Sequence, residues 1–245
     1  AAPMPTASTA LTAVTIAVVV TASAALAAGP ASSAARAYTA RLDGPDAPEN
    51  APRVRRPRLL DRRPQATAVL ILTIPAGWWG ARAGALADTV TALPLVAILV
   101  VACSVDAVCH RLPDRLLGWA ARWLAVATAT RLGVDLAVGA STGRATWPAG
   151  RAGIIALGIG AVMLTMHLLR TGLGFGDVKL CTLCSAWLGQ LDPWTPITGL
   201  MLGFLLGGLA SVVLLLLRRA KLKQHIAFGP YLGAGAWLAW MLALA

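Results

Sequence analysis

Two aspartates stand beside long apolar stretches, 71 residues apart in a chain of 245. Asp106 lies near the end of "LPLVAILVVACSVDAVCHRLPD", and Asp177 follows Gly174, Phe175 and Gly176 in "TGLGFGDVKL". A carboxylate on a spanning helix costs about 2.5–3.5 kcal/mol at mid-membrane and less near the interface, so its presence there points to function. For Asp106 the plainer alternatives are an interfacial cap or an ion pair with Arg111 or Arg115. Asp177 can be an N-cap that accepts hydrogen bonds from exposed amides of the helix after it. That explains the aspartate but not Gly172, Gly174 and Gly176, each of which disfavours a helix by about 1 kcal/mol. A flexible or extended segment that delivers a carboxylate fits them better. Two carboxylates brought together cannot both ionise comfortably, so they share a proton. One then activates water while the other, protonated, polarises a carbonyl, which is the chemistry of an aspartic protease.

The elements that must position this pair are apolar. The chain is 58% hydrophobic and 13% charged, with mean hydropathy +0.71. A soluble domain is nearer half apolar and a quarter charged. Apolar runs at 9–28, 66–86, 92–109, 116–133, 152–170, 178–191, 196–217 and 226–245 approach the ~20 residues that cross a bilayer as a helix. The expected fold is therefore all-α: a polytopic membrane helix bundle of about seven to eight transmembrane helices, with one short helix after the Gly-Phe-Gly-Asp loop. The run at 9–28 reads either as a first spanning helix or as a signal sequence, and no basic region precedes it. Residues 1–28 form an N-terminal hydrophobic segment, 29–65 a basic Pro/Arg-rich linker without apolar periodicity, and 66–245 a membrane-embedded domain. The linker is expected to be irregular, with arginines at 36, 41, 53, 55, 56, 58, 62 and 63.

The net charge of +11 would suggest nucleic acid as the partner of a soluble protein. Here the basic residues lie between apolar runs, so they report topology, and the expected partner is the bilayer rather than nucleic acid. With the linker on the cytoplasmic side, so are the segments around 110–115, 170–179 and 218–225, which gather 16 of the 21 Lys and Arg residues inside. Both ends of the chain then lie outside if all the runs span. Trp78, Trp79, Trp147, Trp194, Trp237 and Trp240 fall near outer helix ends, where an aromatic belt sits. Asp88, Asp135 and Asp192 read as solvated charges of outer loops. Asp106, Asp114 and Asp177 map together to the inner edge. Cys103, Cys109, Cys181 and Cys184 read as small apolar fillers. "CTLC" at 181–184 lacks a second pair, so no metal site is expected.

Three blocks carry a family resemblance. "GFGDVKL" resembles the GxGD signature of the type IV prepilin peptidase family of intramembrane aspartic proteases. "SVDAVCHRLPDRL" is similar to that family's aspartate followed about eight residues later by Pro-Asp, here Pro113 and Asp114. "IAFGPYLGAGAWLA", residues 226–239, resembles the Phe-Gly-Pro opening of the family's last helix. Order and spacing agree, over roughly residues 66–245. Presenilin-like proteases share GxGD but place a tyrosine before the first aspartate, where this chain has Val105.

The resemblance implies Asp106 and Asp177 as catalytic aspartates, with Gly174, Gly176, Lys179, Asp114 and Pro113 as motif-supporting residues. Locally, Pro113 can start the next helix and Asp114 serve its positive end. Lys179 either biases the ionisation of Asp177 or snorkels to the interface. The resemblance further implies a prepilin-like protein substrate with a short basic leader, cut at the cytoplasmic face of the inner membrane, and no cofactor. Longer relatives carry paired Cys-x-x-Cys motifs beside an N-methylation region. Residues 29–65 contain no cysteine, so the chain resembles the short, peptidase-only members. The rival from another class is an ion-coupled transporter that uses the same aspartates. Against it stand the placement of both at one surface and the absence of repeat symmetry.

Overall fold

The computed structural model describes residues 7–43, 54, 56–217 and 227–245. Among them there are only helices: α1 (Ala7–Leu26), α2 (Ser32–Leu42), α3 (Arg62–Arg82), α4 (Leu86–Cys109), α5 (Asp114–Ala137), α6 (Thr142–Leu168), α7 (Phe175–Leu188), α8 (Thr195–Leu216) and α9 (Gly229–Ala243), with two short non-α turns. This is the expected membrane helix bundle, and α7, at 14 residues, is the expected short helix. Four described stretches are long and apolar enough to cross a membrane: Ser8–Leu42, Leu86–Cys109, Thr142–Leu168 and Thr195–Leu216. In α4 the most apolar window is 83% buried, against 17% in each of the other three. So α4 is the central post, and the others turn most of their apolar surface outward, as lipid requires.

The ends of these helices are set by local chemistry. α4 stops at Cys109 because His110 turns left-handed (φ 53) and Pro113 follows. Proline excludes the helical region for the residue before it. α5 then starts at Asp114, directly after Pro113. α6 ends where Arg170 (φ 55) and Gly172 (φ 93) reverse the chain. Asp192 starts α8 by accepting the amides of Trp194 (2.7 Å) and Thr195 (2.9 Å) and the Thr195 hydroxyl. Burial pushes its carboxyl up, but these three hydrogen bonds outweigh it and hold the group below the usual carboxylate range. Asp192 is thus a partly exposed loop charge that also caps a helix. The expectation of a loop charge fails for Asp88, which stands in the first turn of α4 and pairs with Arg131.

The basic segment is more ordered than its composition suggested. α1 runs through a π-helical turn, Ala27–Ala31, straight into α2. The wider turn accommodates Pro30, which has no amide to give. A 3₁₀ turn at Pro57–Leu60 is pinned from both sides: Arg36 Nη1 donates to Leu60 O (3.2 Å) and Gln65 Nε2 to Leu59 O (2.7 Å). Ala31, Ala35 and Leu60 are fully buried. Residues 29–42 are thus helix, not irregular linker. Pattern reading missed this because a short alanine-rich face buries without a strong apolar period. Arg53, Arg55, Asp46, Glu49 and the basic residues at 218–223 lie outside the described residues.

Glycines set the closest helix crossing. Gly199, Gly203 and Gly207 recur every fourth residue on one buried face of α8, a spacing that lets helix backbones meet. A Cβ at Gly235 of α9 would lie 2.3 Å from Gly203 N, and one at Gly207 would lie 2.4 Å from the Phe228 ring. Trp240 is not part of an aromatic belt: it is fully buried and stacks on Trp187, with ring centroids 6.3 Å apart.

These contacts give a paired test. Gly235→Ala forces backbone apart and is expected to cost about 1–3 kcal/mol of stability. Gly208→Ala, one residue beyond the ladder with nothing within 4 Å of its Cβ position, is expected to be neutral or slightly stabilising. Thermal unfolding of the two variants in detergent checks this. Equal behaviour would exclude the crossing.

Candidate active site

Asp106 sits in the last turn of α4 and is 5% exposed. Its carboxylate Oδ2 accepts the amide of Gly229 at 2.9 Å. Gly229 is the first residue of α9, and Phe228 before it supplies no side-chain cap. The first amides of a helix have no partner within it and carry partial positive charge. Here a carboxylate from another helix serves one of them. Pro230 follows and has no amide, so it leaves no further donor to satisfy at that position. Cys103, one turn before Asp106, donates its thiol to Gly229 O at 3.3 Å. Both polar groups of this one residue are therefore held by α4. No β-carbon fits here: one at Gly229 would lie 2.8 Å from Asp106 Oδ2.

The readings open for Asp106 now separate. The ion pairs among the described residues are Asp88–Arg131 and Asp114–Lys179, so Asp106 is paired with neither Arg111 nor Arg115. It does cap a helix, but that helix is α9 rather than a neighbour in sequence. Gly229 was absent from the candidate residues, although the Phe-Gly-Pro resemblance pointed at its position.

Asp177 is held differently. Gly174 is extended (φ −73, ψ 148) and takes the N-cap position of α7, which places Asp177 on the third helical residue. Its Oδ2 reaches back to the Gly174 amide at 3.1 Å, and its own amide donates to Gly174 O at 3.0 Å. Asp177 is therefore inside the first turn and is not the N-cap residue. The glycines divide their roles as well. Gly172 takes the positive φ, Gly174 the extended cap, and Gly176 is already helical. Gly176 is needed for closeness: a Cβ there would lie 2.9 Å from Leu112 Cβ.

Leu112 belongs to the turn between α4 and α5, so this contact joins the two aspartate-bearing blocks. The backbones of α4 and α7 make few close approaches, while both helices pack against α9. Two residues after Leu112 and three after Gly176 the blocks meet again. Lys179 Nζ lies 2.6 Å from Asp114 Oδ1 and 4.8 Å from the centroid of the Phe175 ring. Lys179 thus pairs with the largely exposed Asp114 and makes no ion pair with Asp177. Pro113 is buried in the turn. Asp106, in the last turn of α4, and Asp177, in the first turn of α7, are thus brought to the same end of the bundle through the α4–α5 turn.

Next to Asp106 is an apolar groove of about 370 Å³, lined among others by Ser104 and Ala107 of α4 and Gly233, Ala234 and Trp237 of α9. All four cysteines are free and buried. Among the described residues no group of three or more His, Cys, Asp or Glu side chains is arranged to hold a metal ion.

Comparison with known proteins adds to this picture. Residues 93–217, about half of the chain, match the model of the type IV leader peptidase family. The chain is 39% identical over 71 residues to a prepilin leader peptidase/N-methyltransferase of Pseudomonas aeruginosa, covering 29% of this chain and 23% of that protein. It is 40% identical over 72 residues to the Aeromonas salmonicida protein of the same name, again covering 29% and 23%. With the Escherichia coli K12 protein of that name it shares 34% identity over 85 residues, covering 33% of this chain and 35% of that protein. The matches thus span about a quarter to a third of the relatives' length. No solved structure matches the chain.

The Asp106–Gly229 geometry can be tested without any assay of function. Gly229→Ala is expected to lower stability in detergent by about 1–3 kcal/mol, the range for overpacking. In an Asp106→Ala background the same change should cost measurably less, because the clashing oxygen is gone. A thermal-unfolding double-mutant cycle that proved additive would exclude the contact.

Proposed function

This chain belongs to the type IV leader peptidase family, and on that premise we propose that it is an integral membrane aspartic endopeptidase acting on prepilin-like proteins. Asp106 and Asp177 are the catalytic pair. The observation that carries this reading is their convergence. Two carboxylates 71 residues apart in sequence come to one end of the bundle, each fastened by a single backbone amide.

One oxygen of each carboxylate is thereby occupied and the rest of the group is free for chemistry. Two neighbouring carboxylates hold one proton between them. The ionised member takes a proton from water as the water attacks the scissile carbonyl carbon. The protonated member donates its hydrogen to the carbonyl oxygen, where negative charge develops. Collapse of the tetrahedral intermediate passes a proton to the leaving amine and restores the shared-proton state. No step calls for a metal or an organic cofactor.

The substrate is a prepilin-like protein whose short basic leader precedes an apolar helix. The apolar groove lined by Cys103, Ser104 and Ala107, neighbours of Asp106 on α4, supports this, because it offers an apolar segment a place to lie close to that turn. The charge distribution supports an inner-membrane, multi-pass protein with the aspartates at the cytoplasmic edge. Cleavage there separates a leader in water from a helix in lipid. The reading covers peptidase activity and not N-methylation.

Asp106→Asn and Asp177→Asn are each expected to reduce leader cleavage about 10²–10⁴-fold or more, the contribution of a positioned acid or base. Unfolding temperatures should remain near that of the parent protein. Processing of a co-expressed prepilin, followed by the gel shift of the shortened product, provides the measurement. Normal processing by either variant would overturn the assignment.

A further inference from the structure

Resting on the peptidase reading, we propose that Asp114, Lys179 and Leu112 form a latch that positions Asp177 against Asp106. No hydrogen bond or ion pair among the described residues links the two aspartates directly. The backbones of their helices, α4 and α7, make few close approaches, and the Asp177 carboxylate bonds only within its own turn in the contacts described. Asp106, by contrast, is fixed to α9. The first turn of α7 therefore needs an outside reference if its carboxylate is to face Asp106 at a fixed distance.

The α4–α5 turn provides it at two points. Leu112, 9% exposed, lies on Gly176, next to Asp177, so closely that no β-carbon fits. Asp114 holds Lys179, two residues after Asp177, at 2.6 Å. The two contacts flank Asp177 along the first turn and tie it to the segment that leaves α4 four residues after Asp106. Lys179 is further steadied over the Phe175 ring at 4.8 Å, so the cation has a defined position rather than a free swing. The far end of α7 is anchored separately: Arg151 donates to the carbonyls of Gly189 (3.0 Å), Gln190 (2.9 Å) and Leu191 (3.0 Å). Release of the latch leaves the helix held at that end and lets the Asp177 end shift. Asp114 and Lys179 are thus positioning residues, which act through Asp177 and do not touch substrate.

The test combines kinetics with amide hydrogen exchange on the full chain in detergent. Asp114→Asn and Lys179→Gln should each lower kcat for leader cleavage about two- to fivefold, the range of one partly exposed ion pair, with KM changed less than the parent's experimental scatter. The charge swap Asp114→Lys with Lys179→Asp should recover most of the loss. Asp88→Asn, which breaks the comparable ion pair with Arg131 at the other end of the bundle, should leave kcat unchanged. Exchange over residues 171–180 should quicken about two- to fivefold in both latch variants and return in the swap, while exchange over 186–191 stays as in the parent. Unchanged exchange at 171–180 overturns the latch whatever the activity. So does an equal loss of kcat in Asp88→Asn, or a swap that recovers neither readout. A parent protein that cleaves no prepilin would instead refute the peptidase reading, and the exchange measurement would still decide the latch.

Discussion

The bond from the Gly229 amide to the Asp106 carboxylate constrains more of this molecule than any other single contact. A carboxylate on the most buried helix of a membrane bundle must have its charge met inside the protein, since lipid offers no donor. α9 meets it with the unpaired amide at its start. Much of the neighbouring sequence follows. Residue 229 must lack a side chain, residue 230 can be proline, and α9 must begin at the depth of the last turn of α4. The α8 glycines allow that depth to be reached: Gly203 admits the α9 backbone and Gly207 admits the Phe228 ring. A crossing on the far side of α9 thus determines where an amide stands on the near side.

The second carboxylate solves the same problem locally. Asp177 needs only the Gly174 amide three residues back, so the motif carries its own support in sequence. Local support fixes the side chain relative to its helix but not relative to the rest of the bundle. The α4–α5 turn closes that gap through Leu112 and Asp114. The aspartate pair is consequently asymmetric, with one member held by tertiary structure and the other by a short motif docked on a loop. An asymmetry of this kind separates the rigid member of the pair from the member able to adjust.

Opposite the aspartates, the bundle is closed by side chains that reach backbone carbonyls of neighbouring helices and of the turn after α7. Arg151 takes three carbonyls after α7, Trp79 Nε1 donates to Met241 O at 2.9 Å, and Trp123 Nε1 to Thr91 O at 2.9 Å. With Asp88 on Arg131, these contacts join α3 to α9, α4 to α5 and α6 to α7 at that end. Carbonyls at helix ends have no partner within the helix, and long polar side chains are the means at hand to meet them near a bilayer surface. The N-terminal rod adds a further layer. Ile16 and Val20 lie against Gly77 of α3, and α2 reaches the region of the α4–α5 turn.

The sequence by itself determined the helical class, the runs that become α3 to α9 and the short length of α7, because lipid demands continuous apolar helices and twenty-residue periods survive any packing. It singled out Asp106 and Asp177, since a charge in an apolar run is costly wherever the run is placed. Tertiary structure alone decided which group meets the charge of Asp106. Gly229 is 123 residues from Asp106, and no local pattern foretells that a helix start will stand beside it. Likewise Lys179 sits two residues from Asp177 yet pairs with Asp114, 65 residues away, because the geometry of a first helical turn points the two side chains apart. The glycines of "TGLGFGDVKL" show the same division. Their presence announced an unusual backbone, but only the packing of Leu112 against Gly176 decided that one of them serves closeness rather than freedom.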